Sequence, residues 1–174
     1  MSTAIDELRK KFLDRYMRIN RYQECMMAPL PHFLPAEQLI FCEWVHEYDQ
    51  YGEYIFDLPL YPDLKHWEGR TEKEVLEAMK YMLALKVDAV RIESSDEVSI
   101  IEVKRRGLAS GVGQLIVYRE RFIAQFPNLR VRDMIYVTTI MSKEIEAAAK
   151  NQGIKVYVLP WLGYLGARYR IGGG

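Results

Sequence analysis

The sequence predicts an α/β protein, a mixed β-sheet flanked by helices behind a helical N-terminal extension. Three observations predict it. Apolar runs at 87–93 and 98–104 stand close enough to form a hairpin. Helix-period and strand-period segments alternate after them. With 49% hydrophobic and 28% charged residues, the chain can bury a core and is not disordered as a whole. Its 174 residues divide most simply into an extension (1–50), an α/β core (51–160) and a tail (161–174).

Residues 4–27 read as one helix. Ile5, Leu8, Phe12, Tyr16 and Ile19 recur at spacings of three and four and form one apolar stripe, available to the core or to a homodimer. Lys10, Lys11, Arg18 and Arg21 lie opposite, as a solvated face or a basic arm. Pro29, Pro31 and Pro35 break this helix, and a second follows over 36–49. "GEYIFDLPLYPD" reads as a strand that Pro59 and Pro62 confine to an edge or an end. Thr71 and Glu74 have capping-box spacing for a helix ending before Val87.

The second half is more regular. Strands at 87–93 and 98–104 precede a helix at 109–126 and a strand at 134–140. Ser142 caps a helix to Gln152, with Gly153 just past its end, and a strand at 154–159 closes the pattern. The last two strands, joined through a helix, should lie parallel.

Lys plus Arg equals Asp plus Glu, at 24 each, so global charge argues for no partner and any nucleic-acid surface must be a local patch. Cys25 and Cys42 are expected as buried reduced thiols, and two cysteines exclude a four-cysteine iron–sulfur cluster within one chain. "MSTAIDELRKKF" lacks the apolar core of a signal peptide, and no run approaches the ~18 apolar residues of a membrane span. The expectation is a cytoplasmic protein without a membrane partner. His32, His46 and His66 have no metal-ligand spacing, and Trp44, Trp67 and Trp161 are expected to anchor a core or an interface.

"VDAVRIESSDEVSIIEVKRR" places lone charges where a sheet should be apolar, and such charges are costly unless paired, solvated or metal-bound. Strand residues two apart share a face, so Asp88 goes with Val90 and Ile92, and Glu102 and Lys104 with Val98 and Ile100. The two sets coincide only in registers that set Asp88 across from Glu102 or from Lys104, each with a three-residue loop. The cluster then reads either as a cross-strand salt bridge or as a hard-cation site of two carboxylates and a backbone carbonyl. In "SGVGQLIVYRERFIAQF", Gln114 and Tyr118 lie one turn apart at the helix start, where a strand–helix junction would aim them back at Glu102 and Lys104.

Asp88, then Glu102-Val103-Lys104, then Gln114 and Tyr118 form an ordered D…ExK…QxxxY pattern. It resembles the PD-(D/E)XK nuclease superfamily, RecB-like branch. "IIEVKRRGLASGVGQLIVYRERF" and "GIKVYVL" are also similar to the catalytic domains of NucS-type DNA endonucleases. The resemblance covers roughly residues 87–159, with Val87 where the family's name has proline. It implies a restriction-endonuclease-like sheet and a metal-dependent deoxyribonuclease acting on single- or double-stranded DNA. Mg²⁺ or Mn²⁺ would be held by Asp88, Glu102 and the Val103 carbonyl. Lys104 would orient or deprotonate the attacking water and stabilise the charge added at phosphorus. Gln114 would hold the water, the lysine or a nearby phosphate, and Tyr118 would support that geometry or contact the substrate backbone. Arg105, Arg106, Arg119 and Arg121 would neutralise flanking phosphates. An acid or histidine from an upstream helix is also implied, and Glu37, Glu43, His46, Glu74 and Glu77 compete for that place. The alternatives are a non-catalytic module that binds nucleic acid or protein, and an unrelated α/β protein with a salt-bridged hairpin.

Overall fold

The computed structural model describes residues 3–30 and 33–162; Pro31, His32 and residues 163–174, with the terminal glycines, lie outside the described residues. Six strands form one sheet in chain order: β1 (Tyr16–Ile19), β2 (Gly52–Leu60), β3 (Leu85–Ile92), β4 (Glu97–Lys104), β5 (Arg130–Thr138) and β6 (Ile154–Val158). The pairs β1–β2, β2–β3 and β3–β4 are antiparallel, and β4, β5 and β6 run parallel. The helices are α1 (Ala4–Lys11), α2 (Tyr22–Met27), α3 (Pro35–Glu47), α4 (Lys73–Met82), α5 (Ala109–Gln125) and α6 (Lys143–Asn151). This is a mixed sheet flanked by helices, the architecture expected of a restriction-endonuclease-like α/β fold.

Each face of the sheet carries its own core. On one, Ile5 and Leu8 of α1 and Leu115 and Phe122 of α5 pack against Val90, Ile100 and neighbouring strand residues. On the other, Phe41, Trp44 and Val45 of α3 cover Phe56, Ala89, Ile101 and Val103. Both surfaces of β3 and β4 are therefore withdrawn from water, which is why these strands read as nearly continuous apolar runs.

The N-terminal segment departs from expectation. The single helix read over 4–27 is instead α1, then strand β1, then α2. Thr3 and Asp6 form a capping box at the start of α1, and that helix ends at Phe12. Beyond it the Phe56 amide donates to the Arg15 carbonyl at 2.9 Å, and Tyr16 to Ile19 pair with Gly52 to Ile55. Tyr16 then joins one core and Ile19 the other. A helix would set both on one side; pairing with a waiting strand edge overrides the helical period. The apolar face of α1 is consumed by this sheet, with Ile5 and Leu8 buried, and is not available to a dimer.

Three further corrections follow from local chemistry. Glu72, not Thr71, precedes α4, and its side chain makes no capping bond. Strand β5 begins at Arg130, earlier than the apolar run that announced it, because it continues alongside β4 from Glu97 onward. Cys25 and Cys42 are joined in a disulfide rather than standing as thiols: the packing of α2 against α3 brings their Cα atoms to 5.6 Å, within bonding range. At α6 and in β2 the reading holds. Ser142 caps α6 by accepting from the Ile145 amide, and Gly153 takes the left-handed φ of 72° past its end. Pro59 lies in the part of β2 that β1 does not reach.

Of the tryptophans, Trp44 is a core anchor, whereas Trp67 and Trp161 are exposed. Among the described residues no helix is long and apolar enough to cross a membrane.

Candidate active site

Strands β3 and β4 pair with Ala89 opposite Ile101, Val90 opposite Ile100 and Arg91 opposite Ser99. Continued by one residue, this register sets Asp88 across from Glu102, the first of the two arrangements that parity allows. The loop is Ser94 to Asp96, closed by the Glu93 amide donating to the Glu97 carbonyl at 3.0 Å.

Hydrogen-bonded pairs alternate along an antiparallel ladder, so after Glu93/Glu97, Arg91/Ser99 and Ala89/Ile101 the next would be Val87 with Val103. That pair does not form. The Val103 amide donates instead to Asp88 Oδ2 at 2.8 Å. A residue's N–H and C=O leave the same edge of a strand, so the Val103 carbonyl also faces the gap beside Asp88. The ladder to β2 is interrupted at the same level: its register passes from Phe56/Ala89 to Leu58/Val87, and Asp57 between them has a φ of 53°. Apart from glycine, asparagine and aspartate are the residues that most readily adopt that conformation, and it is uncommon inside a strand. Asp57 is held there by Arg15, which bonds its carboxylate and its carbonyl, and by Lys86 at 3.3 Å. Asp88 thus sits on a stretch of β3 released from both neighbours.

The Lys104 ammonium lies 2.7 Å from Glu102 Oε1 and 3.7 Å from Asp88 Oδ2. Glu102 is fully buried, with Lys104 and the Tyr118 hydroxyl as partners of its carboxylate. Burial, reinforced by the charge of Asp88, pushes its carboxyl up to about 7. Burial also raises Asp88, against the pull of Lys104 and the Val103 amide. For Lys104, burial acts downward, but the two carboxylates outweigh it and hold the ammonium above its ordinary value. When all three ionise, the cluster carries a net negative charge that its one lysine does not balance. Such a deficit suits a cation.

Helix α5 brings the last two residues of the pattern. Tyr118 is buried with its hydroxyl beside Glu102, and burial together with that carboxylate drives its pKa far up. Gln114 Nε2 points at the Tyr118 oxygen from 3.4 Å, a weak bond that places the amide at the rim. Among the five upstream candidates, Glu37 near the start of α3 is the one whose charge reaches Asp88 and Lys104. Its carboxylate also accepts from the Leu34 amide at 3.1 Å. Glu43 is engaged by the Tyr22 hydroxyl and His46 by Tyr51, while Glu74 and Glu77 are exposed on α4. Among the described residues no group of three or more His, Cys, Asp or Glu side chains is arranged to hold a metal; the set here is two carboxylates and a carbonyl.

The arginines divide. Arg105 and Arg106 follow β4 directly and are exposed, as is Arg119. Arg121 is not placed for phosphate: it donates to the carbonyls of Leu60 at 3.2 Å and Leu83 at 2.8 Å. It ties β2 to the end of α4, and Gln125 does similar work at Pro59 and Tyr61. Sequence reasoning missed Asp57, whose one signal was an acid inside the apolar run "IFDLPL". Comparison with protein-family models, curated proteins and solved structures finds nothing that matches this chain.

Proposed function

We propose that this protein is a metal-dependent deoxyribonuclease of the PD-(D/E)XK type, hydrolysing phosphodiester bonds in DNA. The observation that carries the reading is the convergence of Asp88, Glu102 and Lys104 at the opened end of the β3–β4 ladder, with Glu102 fully buried and held by Lys104 beside the Tyr118 hydroxyl. Asp88, Glu102 and the Val103 carbonyl form a hard-oxygen donor set that fits Mg²⁺ or Mn²⁺, and Glu37 is the upstream acid that would add charge. A cation held there would offset charge on the scissile phosphate and acidify the attacking water.

The chain's own residues supply the rest. Lys104, kept cationic by its two carboxylate partners, serves better as a donor to the charge that builds on the phosphoryl oxygens than as a base. Tyr118, held protonated, donates toward the carboxylate pair and fixes its orientation. Gln114 stands at the rim, where it can hold a water or a phosphate oxygen. Arg105, Arg106 and Arg119 neutralise flanking phosphates.

The ion pairs of Lys104 favour a second reading, a structural salt bridge without chemistry. Incubation with labelled single- and double-stranded DNA in Mg²⁺, Mn²⁺ or EDTA separates them. Metal-dependent cleavage that Lys104→Ala abolishes, with DNA binding retained, supports the nuclease. Binding that ignores metal and never leads to cleavage supports a non-catalytic module. A protein that takes up neither Mn²⁺ nor DNA is the salt-bridged fold.

A homodimer, which would bring two such sites to the two strands of a duplex, is read by light scattering after gel filtration. The cytoplasmic assignment belongs to the same proposal and turns on the Cys25–Cys42 bond, since such bonds persist mainly in oxidising compartments. Alkylation of freshly lysed cells reads which state the protein occupies.

A further inference from the structure

We infer that Tyr136 is a positioning residue of this site, the group that fixes the start of α5 over the acid-bearing strand. The inference rests on the nuclease reading and names a residue outside the recognised pattern. Tyr136 sits on β5 directly beside Glu102 in the parallel register and is fully buried.

Leu108, the residue before α5, has no side chain that can cap the helix. Tyr136 instead holds Leu108 itself from the neighbouring strand. Its hydroxyl accepts from the Leu108 amide at 3.0 Å and donates to the Leu108 carbonyl at 3.2 Å. The first turn then rests on the ring itself: a Cβ at Gly111 would overlap the Tyr136 hydroxyl and the ring carbon that bears it. Gly111 therefore sets how closely the helix approaches, and Tyr136 sets where it starts. Thr139 adds a second tie, its hydroxyl donating to the Arg105 carbonyl at 2.7 Å.

Gln114 and Tyr118 lie one and two turns beyond that contact. A displacement of the helix start moves both relative to Glu102 and Lys104, while Asp88, Glu102 and Val103, on their own strands, stay in place. Misplacement on the order of 1 Å can cost roughly a hundredfold in rate. The expected signature is thus a loss in kcat without loss of metal or substrate affinity.

The test compares wild type, Tyr136→Phe and Gly111→Ala for cleavage kinetics on labelled DNA, Mn²⁺ affinity by calorimetry, and backbone hydrogen exchange. Tyr136→Phe should lower kcat by roughly ten- to a hundredfold, with KM and Mn²⁺ affinity within about twofold of wild type. Exchange should speed over residues 108–114 and stay unchanged in β4. Gly111→Ala, which keeps the hydroxyl and crowds the ring, should give the same pattern and serves if Tyr136→Phe does not fold. If wild type cleaves and both variants match it in kcat and in exchange, the positioning role falls alone. It falls likewise if KM, Mn²⁺ affinity and exchange throughout the chain all change together, the mark of general destabilisation. If wild type cleaves no DNA with either metal, the nuclease reading falls and takes the role with it.

Discussion

Glu102 keeps its proton in the folded protein up to about pH 7, whereas the unfolded chain releases it near the ordinary value of 4.5. Between those values the native state binds more protons, so stability falls as pH rises through the window. Urea unfolding from pH 4 to 8 without divalent metal should show the decline, and Glu102→Gln should lessen it, with Asp88, also raised by burial, keeping the remainder; an unchanged slope would assign it to another group. Mn²⁺ must displace that proton, so its stabilising effect should grow as pH passes 7. The acids and the lysine were legible in the sequence because a charge among β-branched residues demands a reason. Glu37 was not: nothing local distinguishes it from four other candidates, and its placement depends on where the start of α3 lands against the sheet. Tyr136 was hidden for the opposite reason, since a tyrosine in an apolar strand looks like ordinary core.

At the scale of the element, parity of the hairpin carried the strongest inference, because a shift of one residue would send Asp88 and Glu102 to opposite faces. The interruption at Asp57 was not readable, since a left-handed residue inside a strand depends on Arg15 and Lys86 arriving from elsewhere. Helical period alone misjudged Tyr16 to Ile19, where the partner strand decides. The arginines give a direct contrast. Arg121→Ala should destabilise the protein by about 1–3 kcal/mol through two carbonyls left without their charged donor, with DNA affinity unaltered. Arg105→Ala and Arg106→Ala should leave stability within about 0.5 kcal/mol. Each should also lower the slope of log affinity against log salt by about one if it meets a phosphate. Fluorescence anisotropy at graded salt measures both; a reduced slope for Arg121→Ala would return it to the DNA surface.

Across the whole molecule, two cores on opposite faces hold the sheet, and the site lies at its open end between the starts of α3 and α5. Helix α3, which carries Glu37, is tied to α2 by the one covalent cross-link among the described residues. The cross-link closes a loop of sequence separation 17, worth about 3 kcal/mol in restricting the unfolded chain. Cys25→Ser with Cys42→Ser should therefore lower Tm by roughly 10 °C, and calorimetry with and without reductant should give the same difference for wild type. A melting point indifferent to reductant would mean that the bond contributes little.

That bond has a practical side. Millimolar thiol in an assay buffer, once it reaches the two buried sulfurs, would leave wild type and the serine variant nearly indistinguishable. Preparations made with and without such an additive should be treated as two forms of the protein, and any activity compared only within a form.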